Sequence, residues 1–275
     1  MKQGNNVWLR WNKKNSYSIA ALMVLVDIEL TAVPRLGIML YSFATAQAEE
    51  VYREVAAAKS GSVYIAGGPH PSALPEEALQ YFDYVVVGEA EETLPELIDA
   101  IKKGRSVDYV LDKAYHKDGR TICTPERPAV DLDLYPPFCS CILAPIEISR
   151  GCPWSCAYCQ TPRLFGSRMR HRSIDVIARF ASYHKDVRFT SLNSLSYGKD
   201  GRRPRLDKVE ALLRRLAETG KPIYFGTFPS EVRPEFISPQ ALDLISSYCA
   251  NSAAWHRHPV RKPGGAQGHR QGTWS

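Results

Sequence analysis

The sequence lacks several features that would assign it to a class at once. No apolar run approaches the roughly 20 residues of a membrane-spanning helix, because the candidate Ile19 to Val26 runs directly into Asp27 and Glu29. There is no second CxxC pair and no HxxxH pair, so a closed four-ligand zinc site is incomplete. The seven cysteines are odd in number and unevenly spaced, which does not favour a disulfide framework. We therefore expect a protein of the reducing cytoplasm with no membrane segment.

Composition and charge are those of an ordinary globular chain. Hydrophobic residues make up 44% of the 275 positions and charged residues 23%, which suits two domains of common size. The net charge of +6 is concentrated in residues 202–215 and in the last twenty residues. Because this excess is local, it does not predict nucleic-acid binding.

The strongest chemical signal is a CxxxCxxC motif formed by Cys152, Cys156 and Cys159. Three thiolates from one loop can hold an iron-sulfur cluster of the 4Fe-4S type and leave one iron without a protein ligand. Structural zinc is the alternative for this motif. Cys139 and Cys141 lie close upstream, and a role for one of them as the fourth ligand stays open.

This motif, with Tyr158 before its last cysteine and the strand-like run Ile142 to Ile148 before it, resembles the signature loop of the radical S-adenosylmethionine (SAM) enzymes. The resemblance implies that the open iron chelates the amino and carboxylate groups of SAM. It also implies that a one-electron donor, such as a ferredoxin or flavodoxin, reduces the cluster and that SAM is then cleaved to a 5'-deoxyadenosyl radical.

The first 105 residues alternate short apolar runs with helical patterns, which predicts an α/β fold with a doubly wound, Rossmann-like parallel sheet. The predicted strands are Val7–Trp11, Leu36–Ser42, Val63–Ala66 and Tyr84–Val87, and the predicted helices are 16–28, 46–59, 75–81 and 92–103. Ligands of such sheets bind beyond the carboxyl ends of the strands. The residues predicted to line that pocket are Ser42, Gly67, Gly68, His70, Gly88 and Glu89.

The patterns GGPHPSALPEEAL and FDYVVVGEAEETLPEL in this region resemble the cobalamin-binding domain that precedes many radical SAM domains. The resemblance covers roughly residues 5–105 and implies cobalamin as a further cofactor. The DxHxxG motif that supplies a histidine to cobalt in some of these proteins is absent. His70 therefore has two interpretations, a cobalamin contact or a turn imidazole that bonds the local backbone.

The remainder of the chain divides into three parts after a first domain of residues 1–107. Residues 108–138 predict a hairpin around Lys117-Asp118-Gly119 and a proline-punctuated linker. Residues 139–250 predict three βα units that resemble the opening half of the radical SAM partial (β/α) barrel. Residues 251–275 show neither helical nor strand periodicity.

In such barrels the loops after the strands gather the functional groups. The residues expected to face SAM are Tyr158, Asn193, Ser230, Glu231 and Arg233. The planar fork of Arg233 suits a carboxylate, and a surface ion pair between Arg233 and Glu231 is the alternative. The second-strand loop reads Ser-Leu-Asn-Ser, whereas the family usually has a Gly-Gly-Glu type turn there, and Asn193 is the candidate substitute.

The tail has two interpretations. It is either a low-complexity basic tail or the product of a frameshift or truncation, since a shift of one base at Trp255 permits a translation that resembles the fourth strand and following helix of these barrels. The predicted protein is a cobalamin-linked radical SAM enzyme that carries out methyl transfer or a radical rearrangement on a small-molecule or unknown substrate. The alternatives are an inactive truncated protein that binds the cluster or cobalamin, and a methylthiotransferase-like enzyme.

Overall fold

The first part of the chain is built around one seven-stranded sheet. The computed structural model describes residues 6–58 and 61–250. Within them, the strands of this sheet run in the order β2-β1-β3-β4-β5-β6-β7, of which β1 to β5 are parallel and β6 and β7 antiparallel. Their bounds are β1 Val7–Arg10, β2 Glu29–Thr31, β3 Ile38–Ser42, β4 Val63–Gly67, β5 Tyr84–Val86, β6 Lys113–Lys117 and β7 Arg120–Cys123.

Helices cover both faces of this sheet, and the central strand β3 is accordingly buried at all five of its positions. In β3, Ile38 and Leu40 join one core, and Met39 and Tyr41 join another on the opposite face, as the two-residue period of a strand requires. The helices are α1 Ser16–Leu22, α2 Ala48–Ala57, α3 Pro69–Ala73, α4 Pro75–Ala78 and α5 Thr93–Lys102. Side chains of α2 and α4 enter one core, and those of α1 and α5 enter the other. The predicted doubly wound α/β sheet is confirmed.

The second part contains three parallel strands in the order β12-β11-β8. Phe189 pairs with Ile146 and Val187 with Ile223, and all four side chains are buried in one core with the helices. The strands are β8 Ile146–Glu147, β9 Ser149–Arg150, β10 Arg170–His171, β11 Val187–Thr190 and β12 Ile223–Tyr224, and the helices are α6 Thr161–Phe165, α7 Ile174–Ala181, α8 Leu206–Ala217 and α9 Pro239–Tyr248. Three βα units, as predicted, are therefore present.

Some local predictions were wrong. The strand predicted over Ile142–Ile148 is reduced to β8, because Pro145 carries no N–H for a sheet ladder, and β9 turns away to pair with β10. The predicted turn after Gly68 is the start of α3. The hairpin predicted in the connecting segment is confirmed, and it lengthens the first sheet by pairing β6 with β5.

Single turns of 3-10 helix connect several of these elements, at Lys13–Asn15, Thr45–Gln47, Leu132–Leu134, Ser194–Ser196 and Pro234–Phe236. No helix within residues 6–58 and 61–250 is long and apolar enough to cross a lipid bilayer. The two interpretations of residues 251–275 concern a segment that lies outside the described residues.

Candidate functional site

A cavity of about 370 Å³ lies between the carboxyl edge of the first sheet and the start of the second domain. The ends of β3 and β4 contribute Ser42, Gly67 and Gly68, and the loop after β5 contributes Gly88 and Glu89. Five of the six residues predicted to bind cobalamin are therefore gathered at one wall. The opposite wall comes from the second domain and the linker, and includes Tyr135, Pro136, Pro137, Glu147, Arg150, Phe165, Arg172 and Thr190.

Two of the three glycines of this wall, Gly68 and Gly88, are required by their backbone conformation and by close packing. Gly68 has a φ of +93°, and a Cβ there would lie 2.9 Å from Ser42 Oγ and 3.1 Å from the backbone nitrogen and oxygen of Phe43. A larger residue would therefore push the ends of β3 and β4 apart or occupy the cavity. Gly88 is also at positive φ, +76°, and its N–H donates a 3.0 Å hydrogen bond to Ser72 Oγ.

His70 does not line this cavity. The side chain is buried, its Nε2 lies 3.0 Å from the Tyr52 hydroxyl, and its Nδ1 lies 3.2 Å from Thr45 Oγ1. A carboxylate oxygen of Glu77 lies 3.4 Å from the same Nε2. Both ring nitrogens are thus engaged by side chains of the first domain, which places His70 in a structural role and away from the predicted cobalamin contact.

The three cysteines of the CxxxCxxC motif lie on the loop between β9 and α6. The N–H of Cys152 donates to the carbonyl of Gly166 at 3.1 Å, and the N–H of Cys159 donates to the carbonyl of Cys156 at 3.0 Å. Burial raises the pKa of the Cys152 thiol, and the neighbouring thiols of Cys159 and Cys156 raise it further. Negative charge on the three sulfurs is therefore mutually unfavourable without a cation.

This donor set fits a cluster in chemistry and in its placement on one short loop. Within the described ranges, no three His, Cys, Asp or Glu side chains are already gathered to ligate a metal ion. Cys139 and Cys141 face each other, with their sulfurs 2.6 Å apart, and the N–H of Ile142 donates to Cys139 Sγ at 3.2 Å. The two upstream thiols are therefore paired with each other.

Four of the five residues predicted to face SAM lie on the loops that follow β11 and β12, and Tyr158 lies in the cysteine loop. None of the five lines the cavity. Arg233 stacks its guanidinium 3.8 Å above the ring of Trp154, a residue of the cysteine loop. Its ion-pair partner is Glu235, at 2.6 Å, and not the Glu231 considered from the sequence. Arg233 is therefore fixed beside the cysteine loop. The side chain of Tyr158, in the same loop, is exposed.

Among the other predicted SAM residues, Asn193 and Ser230 are buried and Glu231 is half-buried, and all three make hydrogen bonds within the protein. Asn193 donates from Nδ2 to Ser196 Oγ at 2.7 Å and accepts the backbone N–H of Arg233 at 3.3 Å. Ser230 bonds the hydroxyl of Ser194, and the backbone N–H of Glu231 donates to the carbonyl of Ser191 at 2.8 Å. This network holds the two strand ends together.

Ser191, the first residue after β11, was not singled out from the sequence. Its hydroxyl is buried and has no hydrogen-bond partner within the part of the chain that the structure describes. A buried unpaired hydroxyl is costly, so this oxygen is available to a polar ligand atom at the strand end. Its position within the Ser-Leu-Asn-Ser loop was the signal that could have identified it.

Charged side chains form a second feature that sequence reasoning missed. Arg150, two residues before Cys152, contacts Glu91 at 2.7 Å, Glu147 at 2.8 Å and Glu89 at 3.3 Å. Arg170 also pairs with Glu89. Although burial alone would raise the pKa of Glu89, the hydrogen bond from Arg170 and the charge of Arg150 lower it overall. Glu89 is therefore a carboxylate held between the two domains.

Two family models match separate parts of the chain. Residues 28–98 match the B12 binding domain, and residues 146–255 match the radical SAM superfamily. The chain is 33% identical over 137 residues to an uncharacterized methyltransferase of Pyrococcus horikoshii, covering 44% of this chain and 30% of that protein. It is 32% identical over 158 residues to the bacteriochlorophyllide d C-12(1)-methyltransferase of Chlorobaculum tepidum, covering 54% of this chain and 34% of that one.

A solved structure shows the same arrangement of folds. The radical S-adenosylmethionine methyltransferase TsrM from Kitasatospora setae, with cobalamin and a 4Fe-4S cluster bound, matches 89% of this chain and 57% of its own length. The TM-score is 0.62 and the sequence identity 14%, so this likeness concerns the fold. The matched regions span about a third of the length of the two curated relatives.

Proposed function

We propose that this chain, which carries a B12 binding domain followed by a radical SAM superfamily domain, belongs to an enzyme that binds cobalamin, a 4Fe-4S cluster and SAM and transfers a methyl group to a small-molecule substrate. The observation that carries the proposal is the cavity between the two domains. The glycine-lined sheet edge forms one wall, and the segment that leads into the cysteine loop forms the other. A group held at the sheet edge therefore faces the domain that would cleave SAM.

The cluster would be held by Cys152, Cys156 and Cys159. When bound and reduced by a donor such as a ferredoxin or flavodoxin, a 4Fe-4S cluster supplies the electron that cleaves SAM. The chain fixes the loop on both sides, through the hydrogen bond from Cys152 to Gly166 and through the stacking of Arg233 on Trp154. These two contacts hold the loop while its three thiols bind one cluster.

SAM would lie beyond the carboxyl ends of β11 and β12. The unpaired hydroxyl of Ser191 offers a donor or acceptor there, and the free edge of the Arg233 guanidinium offers a fork for the carboxylate of SAM. The buried Asn193 positions the backbone of Arg233 and leaves one amide hydrogen for the ligand. The chain's own residues therefore bind and orient SAM beside the cysteine loop.

Cobalamin would lie against Gly67, Gly68 and Gly88, where backbone can approach a large flat ring closely. His70 is buried away from this wall, so the proposal includes no protein histidine as a cobalt ligand. Bound cobalamin supplies a carrier for the methyl group. The apolar residues of the opposite wall would exclude water from it.

The test begins with anaerobic reconstitution of the full chain with iron and sulfide. We expect about four irons per chain, the usual cubane stoichiometry, and loss of the visible cluster absorbance on Cys152→Ala, Cys156→Ala or Cys159→Ala. Cys249→Ala is the control. Stable zinc in place of iron would contradict the cluster assignment.

The cobalamin part is tested separately by equilibrium dialysis with hydroxocobalamin. We expect retention in the base-off form and no nitrogen coupling from His70 in the electron paramagnetic resonance spectrum of the reduced cofactor. Methyl transfer would be followed as release of S-adenosylhomocysteine and 5'-deoxyadenosine from SAM. A folded protein that retains no cobalamin would reduce the first domain to a scaffold.

A further inference from the structure

Arg150 is enclosed by three carboxylates from two domains. Its Nη1 lies 2.7 Å from Glu91 and 3.3 Å from Glu89, while Nε and Nη2 bond both oxygens of Glu147 at 2.9 and 2.8 Å. The ring of Phe165 packs under the guanidinium at 5.3 Å. Only 11% of the side chain is exposed, so this is a desolvated arrangement in which each partner depends on the others.

Arg150 lies at the start of the cysteine loop, and its carboxylate partners Glu89 and Glu91 lie in the other domain. Arg150 ends β9 and is separated from Cys152 by Gly151 alone, whereas Glu89 and Glu91 follow β5 of the first sheet. The contacts therefore join the beginning of the cysteine loop directly to the loop that lines the glycine wall. Because Arg has five donors in a rigid fork, it fixes both distance and orientation between these two loops.

A parallel set of contacts supports the same junction. Arg170 pairs with Arg150 in the β9–β10 ladder and bonds Glu89, the carbonyl of Val130 at 2.7 Å and the carbonyl of Phe165 at 3.2 Å. Glu89 also accepts the N–H of Val130 at 3.0 Å. The first domain, the linker and the cysteine loop are thus connected through one buried group of charges.

We propose that Arg150 is a positioning residue that sets the cysteine loop at a fixed distance from the cobalamin-facing wall by bonding Glu91 and Glu89. The proposal rests on the proposed function for its catalytic meaning, because methyl transfer between two cofactors requires a defined separation. Its structural content, that Glu91 of one domain orders the cysteine loop of the other, does not require either cofactor.

The first experiment is hydrogen exchange followed by mass spectrometry on the full chain, comparing Glu91→Gln with Glu92→Gln. Glu92→Gln is the control, because it makes the same chemical change at the next residue, whose ion-pair partner is Arg127 at 3.3 Å. We expect amides of residues 151–159 to exchange about tenfold faster in Glu91→Gln, the change that loss of one charge-assisted hydrogen bond of ordinary strength produces. Glu92→Gln should leave those amides unchanged.

The second experiment uses protein loaded with cluster and cobalamin. In Glu91→Gln, the distribution of spin–spin distances between the reduced cluster and cob(II)alamin should become wider or shift to longer distances, while iron and cobalamin contents stay at the wild-type level. Arg150→Lys, which keeps the charge and loses the planar fork, should widen the distance distribution in the same way. If Glu91 and Arg150 only supported folding or cofactor binding, a protein with full cofactor content would keep the wild-type distance distribution.

The outcomes separate the two proposals. Unchanged exchange of residues 151–159 in Glu91→Gln would overturn the positioning role, whether or not cofactors bind. Equal effects of Glu91→Gln and Glu92→Gln would also overturn it, because they would reflect general loosening of the loop after β5. Absence of cobalamin from the wild-type protein would instead contradict the proposed function, and the exchange experiment would still decide the positioning role.

Discussion

Gly151→Ala should disrupt the cysteine loop more than any other single methyl addition near it. Gly151 has a φ of +86°, and a Cβ at this position would lie 2.2 Å from the carbonyl oxygen of Arg168 and 3.3 Å from that of Gly166. Backbone in this left-handed region costs a residue with a Cβ about 1–2 kcal/mol. Relieving the overlap costs about 1–3 kcal/mol more, because the obstructing atom is backbone and cannot rotate away.

Gly166→Ala is the matched control. Gly166 has a similar φ of +79° and lies on the facing segment, but a Cβ there meets nothing within 4 Å. It should therefore lose only the conformational part, about 1–3 kcal/mol, because its ψ of 165° at this φ lies in a region that essentially only glycine adopts. A further loss of stability in Gly151→Ala would be the steric part.

The assay is denaturant unfolding under anaerobic conditions, combined with iron analysis after reconstitution. Gly151→Ala should lower the free energy of unfolding by about 2–5 kcal/mol in total and reduce iron content, because the displaced backbone carries Cys152 with it. Gly166→Ala should keep its iron. If Gly151→Ala were no less stable than Gly166→Ala and bound iron fully, the close approach of Gly151 to Arg168 would be refuted.

Three further predictions concern other parts of the molecule. Burial lowers the pKa of Lys113 from 10.5 to about 8. The unfolded chain therefore binds more protons than the folded chain between these pH values, and stability should rise with pH across that window. Lys113→Met should raise the free energy of unfolding at pH 7 by up to about 3 kcal/mol, and calorimetry should find this gain diminished above pH 10. Gly68→Ala should weaken hydroxocobalamin binding at least about tenfold, because displacing the Phe43 backbone costs more than 1.4 kcal/mol, whereas Gly104→Ala, whose Cβ meets nothing within 4 Å, should not. Replacing Cys139 and Cys141 together by Ser should leave iron content unchanged. Loss of one quarter or more of the iron would show instead that one of them is a cluster ligand.

The fold was predictable where burial on both faces leaves a continuous apolar run. Strand β3 is such a run, and its alternate residues supply both cores of the sheet. Strand β2 was missed because it has three residues, two of them exposed, at the edge of the sheet. The strand predicted over residues 142–148 was too long because the apolar run outweighed Pro145, whose missing N–H limits the ladder.

The candidate site was predictable where a motif lies within one loop. The cysteine loop is of this kind, since local spacing places its residues together whatever the rest of the chain does. The glycine wall was predictable for another reason, because the carboxyl ends of neighbouring parallel strands meet at one edge of a sheet. His70 shows the limit of this reasoning. Its sequence neighbours form the wall, but its side chain points to Tyr52 and Thr45, which are 18 and 25 residues away in the chain. Orientation within a helix of five residues was set by those distant partners.

Glu89 shows why the junction between the domains required the structure. The sequence places it next to Gly88 at a strand end, where ligands of doubly wound sheets bind, and it does line the cavity. Its carboxylate, however, is bonded by Arg170, 81 residues later, and lies 3.3 Å from Arg150. Three carboxylates and three arginines, Arg172 included, are balanced at this junction, and no local pattern predicts which will meet. Because buried charges must be paired to be tolerated, each of these groups constrains the others, and the separation between the glycine wall and the cysteine loop is thereby fixed.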